Sequence, residues 1–297
     1  SGFEHFCKLL TRILQHAPTE YALNVNNLMD MPDFHQLFVP DVDNLNENQL
    51  CQKQICATKN PLATPPKIHK SVDLRERDLV TAAKFQGDCG ACWAFSLVSQ
   101  LENLILLQKK DGFWGQENLN VSEQFIISNV FGASKYCKGG NTVKALSYMT
   151  DNANKSLNTI EIAANYPYDP EKYRQPHSLN YVLKIKLAPE NYFIPFQTIN
   201  KTPNIAVVPY QSNKFTSEQV TAIKGYLARG LVLSVGMWVT ENLDFVLYSG
   251  GIFHEQCKKY NGSNHAVNII GYGKINGKEV WVVKNSWGDS WGDNGFF

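Results

Sequence analysis

Two cysteines in one short segment are the residues best placed to do chemistry. Cys89 and Cys92 lie in Gln-Gly-Asp-Cys-Gly-Ala-Cys-Trp-Ala-Phe (86–95), at the start of an apolar pattern with helical spacing. A cysteine that opens a helix faces unpaired backbone N–H groups and the positive end of the helix dipole, and both lower the thiol pKa. The sequence therefore contains a candidate nucleophile. Taken alone, however, such a cysteine is more often an inert core side chain.

The Cys-X-X-Cys spacing leaves two other interpretations open. It also fits a thioredoxin-type redox pair or half of a zinc site. A zinc site needs a second closely spaced Cys/His pair, which the sequence lacks, and a redox pair needs a small βαβ domain, which this chain does not resemble.

Two segments near the C-terminal end carry a histidine and an asparagine. His265 lies in 264–273 and Asn285 in 283–292. In isolation, a histidine near a strand is usually structural and an asparagine before Ser-Trp-Gly is usually a turn former. Together with 86–95, however, the two segments resemble the active-site segments of the papain family of cysteine peptidases, in the family's order. The cysteine segment matches the family signature Cys-Gly-[Ser/Ala]-Cys-[Trp/Tyr].

This resemblance implies a role for each residue. Cys92 is expected to be the nucleophile, and His265 its base and ion-pair partner. Asn285 is expected to orient the imidazole as the third member of a triad, and Trp287 to cover that hydrogen bond. Gln86 is expected to donate its side-chain amide to the oxyanion, alongside the backbone N–H of Cys92.

The resemblance also implies one disulfide and a set of substrate contacts. Cys137, in Cys-Lys-Gly-Gly, is expected to pair with Cys89. Gly140 is expected to offer its backbone to the substrate residue second from the scissile bond. The family's second disulfide is not expected, because Asn129 occupies its first position, and the expected partner of Cys257 lies downstream of residue 297. The predicted substrate-binding residues are Gly139, Gly140, Asn141, Gly236, Asn264 and Trp287.

The chain is predicted to be an α+β protein. Helical periodicity runs from Cys92 to about residue 107, and a second helix is expected to start at Ser122. Short apolar, β-branched segments follow after about residue 180. This segregation favours two lobes, and the resemblance implies a papain-like fold with the active-site cleft between them. The expected domains are a propeptide and cleavable linker (1–68), a helical left lobe with Cys92 (69–182) and a β-rich right lobe with His265 and Asn285 (183–297).

The propeptide prediction depends on two weaker similarities. The segment 71–75 resembles the mature N-terminus of papain-like enzymes. The segment 21–30 resembles the cathepsin L-type Gly-X-Asn-X-Phe-X-Asp motif, with Asn24 and Leu28 replacing Gly and Phe. Residues 1–65 carry a net charge of −3 against +4 for the remainder, so we expect protonation of carboxylates to weaken docking and to permit cleavage within about 56–70. The alternative is a simple extension.

Composition narrows the function classes. The net charge of +1, with no basic stripe, argues against nucleic-acid binding, and no run of 18 apolar residues predicts a membrane span. No cofactor or metal is expected. Expected partners are protein or peptide substrates, the chain's own propeptide and cystatin-like inhibitors. Sequons at Asn120, Asn154, Asn200 and Asn261 favour the secretory pathway, with a lysosome-like, vacuolar or secreted destination, and a cytosolic protein is the alternative. In an oxidising compartment, the odd number of seven cysteines would leave at least one thiol unpaired or bonded between molecules.

Some features depart from the family pattern. His265 and Asn285 lie 173 and 193 residues after Cys92, beyond the roughly 130–150 residues typical of the family. The excess predicts an insertion between about 168 and 224. The first residues contain no signal peptide and the chain stops in mid-pattern, so we expect both ends to be cut. A transpeptidase or ligase, and a catalytically silent binding protein, remain alternatives to hydrolysis.

Overall fold

The computed structural model describes residues 68–108, 115–130, 136–150, 159–169, 217–239, 244–254 and 263–297, with short strands at 21–23 and 194–195. The helices are α1 (Cys92–Gln108), α2 (Glu123–Asn129), α3 (Thr142–Thr150), α4 (Ser217–Ala228) and α5 (Asp244–Leu247). The strands are β1 (Tyr21–Leu23), β2 (Val72–Asp73), β3 (Thr159–Ile160), β4 (Ile194–Pro195), β5 (Leu233–Met237), β6 (Tyr248–Gly251), β7 (His265–Ile275) and β8 (Lys278–Lys284). The longest helix precedes the long strands, which confirms the predicted α+β class.

The long strands form one four-stranded antiparallel sheet around β7. Strands β5 and β2 pair with successive parts of β7, and β8 also pairs with β7. The register sets Met237 opposite His265. Strand β2 approaches β7 so closely that a side chain at Gly271 would collide with the carbonyl oxygen of Val72. The first eight residues of β7 are buried, so this strand forms the centre of the sheet.

Helix α1 packs against this sheet. Its buried face includes Leu97 and Leu101, which belong to the same apolar core as Val267 on β7. Polar contacts fix the register of this packing. Ser96 Oγ donates to the carbonyl oxygen of Val267 at 3.2 Å, and Asn268 Nδ2 donates to the carbonyl oxygen of Ser96 at 3.1 Å. The first residue of α1 is thereby held against the first residues of β7.

Helix α2 starts where the sequence predicts. Ser122 caps it by accepting from the backbone N–H of Phe125 at 2.9 Å, and its hydroxyl donates to the carbonyl oxygen of Tyr166 at 2.5 Å. The cap satisfies one of the helix's free N–H groups. All seven residues of α2 are buried, which ties this helix firmly into the left lobe.

Two short pairings connect distant parts of the chain. Strand β1 pairs with β6, with Tyr21 opposite Gly251. Strand β3 pairs with β4, so it links residues on both sides of the predicted lobe boundary at 182/183. That boundary stays a prediction. Within the ranges that the structure describes, no helix has the length and apolar character needed to cross a membrane.

Candidate active site

Cys92 is the first residue of α1 and is 1% exposed. Burial raises the pKa of its thiol to about 11, against the opposing effect of hydrogen bonds from the backbone N–H groups of Ala266, Trp93 and Cys92 itself. Ala266 belongs to β7 and follows His265 in the chain. The sulphur therefore lies at the contact between the helix and the sheet, next to the predicted base.

A disulfide secures the segment before α1. Cys89 is bonded to Cys137, as the resemblance implied. The backbone N–H of Gly90 donates to the carbonyl oxygen of Cys137 at 2.9 Å. The two segments therefore run side by side immediately before Cys92. With Cys89 in this bond, it is not available for the zinc or Cys-X-X-Cys redox interpretations.

The segment that bonds Gly90 through Cys137 continues into two predicted substrate-binding glycines, Gly139 and Gly140. Gly139 has a φ of +107°, which favours glycine. A side chain on Gly140 would collide with the indole of Trp93, so this glycine has a packing reason in addition to the predicted approach of substrate. The Asn141 side chain accepts from the backbone N–H of Lys144 at 2.9 Å. It therefore caps the start of α3.

His265 and Asn285 are brought together by the β7–β8 pairing. His265 Nε2 lies 2.8 Å from Asn285 Oδ1, and that oxygen also accepts from the backbone N–H of Ser286 at 2.9 Å. Burial lowers the pKa of His265 to about 4, with the Asn285 hydrogen bond acting in the opposite direction. Among the residues described, Nδ1 of His265 has no hydrogen-bond partner. This nitrogen is available for a proton.

Trp287 covers the imidazole. Its ring lies 4.9 Å from that of His265, at an interplanar angle of 31°. Trp287 in turn packs against Phe245 and Trp291, with ring centroids 5.3 Å away in each case. Trp291 is fixed by donation from Nε1 to the carbonyl oxygen of Val246 at 3.0 Å. These contacts pack Trp287 against the buried imidazole; that Trp287 excludes water from the His265–Asn285 hydrogen bond stays a prediction.

Gln86 is completely buried, and both ends of its amide are held. Its Nε2 donates to the carbonyl oxygen of Cys89 at 2.7 Å, and its Oε1 accepts from Ser286 Oγ at 2.6 Å. The hydroxyl of Tyr168 donates to the backbone carbonyl of Gln86 at 2.6 Å. An amide nitrogen carries two N–H groups, so one remains for a developing oxyanion.

Asn264 and Gly236 lie on the side of the site formed by β5 and β7. The Asn264 side chain forms two hydrogen bonds with the backbone of Val239, at 2.7 and 2.8 Å. Its amide is therefore occupied, and a substrate would contact its backbone. A side chain on Gly236 would collide with the Ser263 hydroxyl. Gly236 therefore allows the Ser263 side chain to lie close to strand β5.

A buried charge cluster behind the site was missed by the sequence analysis. Lys84 Nζ lies 2.7 Å from carboxylate oxygens of both Glu102 and Glu123. Thr81 Oγ1 donates to Glu102 and accepts from Lys284 Nζ, at 2.5 and 2.9 Å. Lys284 directly precedes Asn285, so the cluster joins the end of β8 to helices α1 and α2. Nothing in the residue spacing indicates that these five side chains meet.

The charged forms of the side chains in this cluster are favoured to different degrees, as their pKa values show. Burial alone would raise the pKa of Glu102, but the charges of Lys84 and Lys284 and the hydrogen bonds to it outweigh burial and hold the pKa below its usual value. Burial lowers the pKa of Lys284 to about 8. A cavity of about 10 Å³ adjoins the cluster and Asn285. No group of His, Cys, Asp and Glu side chains in the described ranges is arranged to hold a metal ion.

Comparisons with known proteins match this chain to one family. The family profile "Papain family cysteine protease" matches residues 68–297. Cathepsin S of Bos taurus is 30% identical over 278 residues, which cover 93% of this chain and 72% of that protein. Cathepsin S of Mus musculus is 32% identical over 228 residues, covering 76% of this chain and 57% of that protein, so the match spans little more than half of that relative.

Solved structures share the fold. A recombinant stem bromelain precursor has a TM-score of 0.69 and 25% identity, covering 99% of this chain and 82% of that chain. Digestive procathepsin L 3 of Tenebrio molitor larval midgut has a TM-score of 0.68 and covers 98% of this chain and 83% of that chain. At 23% identity, the second similarity speaks for the fold alone.

Proposed function

Since this chain belongs to the papain family of cysteine proteases, we propose that it hydrolyses peptide bonds with Cys92 as nucleophile and His265 as base. One observation carries the proposal. The sulphur of Cys92 accepts from the backbone N–H of Ala266, while the adjacent His265 is fixed through Nε2 by Asn285 and keeps Nδ1 free. Nδ1 of His265 is therefore available to accept the thiol proton of Cys92.

The reaction follows from these positions. Nδ1 of His265 takes the proton of Cys92, and the sulphur attacks the substrate carbonyl carbon. The negative charge moves to the carbonyl oxygen, where the free N–H of Gln86 and the backbone N–H of Cys92 donate. The imidazolium then protonates the leaving amine, and a thioester remains on Cys92. Water, deprotonated by His265, attacks the thioester, releases the acid and restores the thiol.

In this structure, burial opposes the charged forms of the Cys92 thiol and the His265 imidazole. The raised pKa of Cys92 and the lowered pKa of His265 both favour neutral side chains. A thiolate–imidazolium pair would gain from mutual attraction and from solvation once the cleft opens. We infer that this is the resting state of a zymogen, in which the nucleophile is stored as a neutral thiol.

The N-terminal segment is proposed as the inhibitor. Strand β1 (Tyr21–Leu23) pairs with β6, which directly follows the helix that carries Phe245. That helix packs against Trp287, so the segment is anchored to the element that supports the catalytic histidine. Residues 68–71 are exposed, which suits cleavage before the mature region. The segments 24–30 and 56–67, on which the motif and linker predictions rest, lie outside the described residues.

The proposed compartment is oxidising. The Cys89–Cys137 disulfide supports a secretory route, because such bonds persist outside the reducing cytosol. Of the four sequons, the structure describes the asparagine only at Asn120, which is exposed. Cystatin-like inhibitors stay a prediction, and so do the states of Cys7, Cys51, Cys56 and Cys257, which lie outside the described residues.

The proposal is tested on protein whose N-terminal segment has been removed. We expect cleavage of a fluorogenic peptide and stoichiometric labelling of Cys92 by an epoxide probe, located by peptide mass spectrometry. The Cys92→Ala variant should show neither, and Gln86→Ala should lower kcat by about 10²–10³-fold. An added amine that captures most of the product would favour transpeptidation. Absence of both turnover and labelling in the folded protein would instead favour a silent binding protein.

A further inference from the structure

Asn120 begins the one sequon whose asparagine lies in the described part of the chain. The tripeptide is Asn120-Val121-Ser122, in which the asparagine is exposed and the other two residues are buried. The backbone N–H of Ala163 donates to the carbonyl oxygen of Asn120 at 2.8 Å, which fixes the backbone at this position. An asparagine in this pattern is an acceptor for N-linked glycans on the surfaces of secreted proteins. Because the pattern also arises by chance, the surroundings of Asn120 must carry the inference.

The serine of the sequon has a structural role of its own. Its hydroxyl accepts from the backbone N–H of Phe125 as the cap of α2, and donates to the carbonyl oxygen of Tyr166. Ser122 is 1% exposed, so an enzyme that reads this hydroxyl cannot reach it in the folded molecule. A glycan must therefore be added while the chain is being made, before α2 forms. The exposed Asn120 side chain is compatible with such a glycan in the folded product.

Asn120 borders a cavity of about 520 Å³ with a mixed lining. This volume lies in the range of about 300–1,000 Å³ in which proteins bind small molecules. The polar side of the lining includes Lys84, Asn118 and Glu123, and the aromatic side consists of Phe85, Phe95 and Tyr168. A sugar ring has the same two characters, because its hydroxyl groups lie at the rim and its C–H groups lie on the faces. The cavity therefore suits a sugar better than a hydrocarbon chain.

Phe85 supplies the exposed part of the aromatic side. It is 45% exposed, whereas most large apolar side chains in the described ranges are buried. A single exposed apolar side chain needs no functional explanation, but this one lines the same cavity as Asn120. The face of an aromatic ring carries partial negative charge, and the C–H groups of a sugar, polarised by the neighbouring oxygens, pack favourably against it. A sugar attached to Asn120 therefore has an aromatic surface within the same cavity.

We propose that Asn120 carries an N-linked glycan and that its first sugar, an N-acetylglucosamine, packs in this cavity against Phe85. In the transfer, Asn120 Nδ2 forms a bond to the anomeric carbon of the sugar and loses one proton to a base. The lipid-linked diphosphate that carried the oligosaccharide leaves with the electrons of the broken C–O bond. The inference requires the secretory route supported by the Cys89–Cys137 disulfide, and it does not depend on peptidase activity.

Peptide mass spectrometry of the secreted protein measures the occupancy of Asn120. The full chain is expressed behind a signal peptide in a eukaryotic host that makes high-mannose glycans, with Cys92→Ala to prevent self-cleavage. We expect most molecules to carry a glycan at Asn120. Asn120→Gln should remove this glycan, whereas Ser122→Thr, which keeps the hydroxyl, should retain it. Folded, secreted protein with an unmodified Asn120 would overturn the proposal.

Urea denaturation measures the packing of the sugar against Phe85. The other three sequons are removed by replacing Asn154, Asn200 and Asn261 with glutamine. Endoglycosidase H then leaves one N-acetylglucosamine on Asn120, and Asn120→Gln carries none. We expect the single sugar to lower the equilibrium constant for unfolding by about 3–10-fold, as an aromatic contact does. With Phe85→Ala, this difference should shrink to less than about 2-fold.

A matched control separates this contact from general effects of a glycan. Ile275 is 50% exposed on β7 and does not line the cavity. In Ile275→Ala, the stabilisation by the sugar should persist. If Phe85→Ala does not fold, Phe85→Leu serves the same purpose, because it keeps an apolar side chain without the aromatic ring. The packing is wrong if the sugar has no effect on stability, or if its effect survives the loss of the ring. Because all of these proteins carry Cys92→Ala, the result is separate from that of the peptidase assay.

Discussion

Cys92 is positioned by bonds close to it in the sequence, whereas His265 and Asn285 are positioned by strand pairing between distant residues. On the helical side, a disulfide, a helix start and Gln86 all lie within the segment 86–95 or bond directly to it. On the sheet side, the β7–β8 register sets the 2.8 Å hydrogen bond, and an aromatic cluster fixes the imidazole.

The difference shows where each side is vulnerable. The helical side depends on a covalent bond and on local geometry, so single changes there act near the sulphur. The sheet side depends on packing and on the buried charges that bind Lys284 to the helical lobe. Damage to these charges should disturb both sides at once. Four experiments, from the largest expected effect to the smallest, test this contrast.

Glu102→Gln should cause the largest loss. It removes the carboxylate that bonds Lys84 and Thr81, and leaves the buried Lys284 and the partly buried Lys84 with less negative charge nearby. Breaking a buried pair in this way typically costs about 3–5 kcal/mol in the free energy of unfolding. Urea denaturation in a Cys92→Ala background measures the change. Glu76→Gln, at an exposed carboxylate, is the control and should change stability by less than about 0.5 kcal/mol. Equal effects of the two substitutions would contradict the role given to the cluster.

Removal of the Cys89–Cys137 disulfide tests the helical side alone. The bond closes a sequence separation of 48 residues, for which the chain-entropy treatment gives about 4 kcal/mol. We expect the Cys89→Ala/Cys137→Ala variant to unfold at a clearly lower urea concentration. Because the disulfide supports the segment next to Cys92, we also expect the variant to cleave peptides more slowly at temperatures where it is still folded. A folded variant with full activity would show that the disulfide does not position the nucleophile.

Acid should lower the free energy of unfolding through His265, which lies on the sheet side. Its pKa is lowered to about 4 in the folded chain, against about 6.5 in the unfolded chain. Between these two pH values the unfolded state binds more protons, so stability falls as pH falls through this window. The loss attributable to His265 is roughly 3 kcal/mol by pH 4. Urea midpoints from pH 7 to 4 in the Cys92→Ala background should show this loss, and adding His265→Gln should remove that part of it. Superimposable profiles would contradict the buried neutral histidine.

Ser286→Ala should have the smallest effect. It removes the hydroxyl that donates to Gln86 Oε1 at 2.6 Å, while leaving the amide N–H groups in place. A neutral hydrogen bond of this kind contributes about 1 kcal/mol, or about 3–10-fold in kcat. Steady-state kinetics with a short fluorogenic peptide measure it, and Gln86→Ala provides the upper limit. If Ser286→Ala is as damaging as Gln86→Ala, the serine has a further role that its hydrogen bond does not describe.

The helical side could be predicted from the sequence because its determinants are contiguous. The start of α1 at Cys92, the N-cap at Ser122 and the occurrence of short strands after about residue 180 follow from periodicity and capping signals. The family resemblance supplied the Cys89–Cys137 bond. These features depend on local sequence or on motifs that can be matched directly.

The remaining contacts depend on tertiary packing and could not be predicted. Ser286 lies inside the asparagine segment, yet nothing in the sequence shows that its hydroxyl bonds Gln86, 200 residues away. Asn264 was predicted to bind substrate, and nothing in the sequence shows that its side chain bonds the backbone of Val239. Gly140 was explained by substrate approach, and its contact with Trp93 became visible only in three dimensions.

The most direct test of the account is the alkylation rate of Cys92 as a function of pH, before and after removal of residues 1–67. Iodoacetamide labelling at Cys92, quantified by peptide mass spectrometry, distinguishes this thiol from the others in the chain. The buried neutral thiol predicts almost no labelling of the intact chain at pH 7, because burial raises the pKa of Cys92 to about 11. The trimmed protein should react rapidly at pH 5–7, and His265→Ala should abolish that reactivity. Equal labelling of the intact and trimmed proteins at pH 5, or reactivity that survives His265→Ala, would contradict a nucleophile stored as a thiol and activated by the histidine.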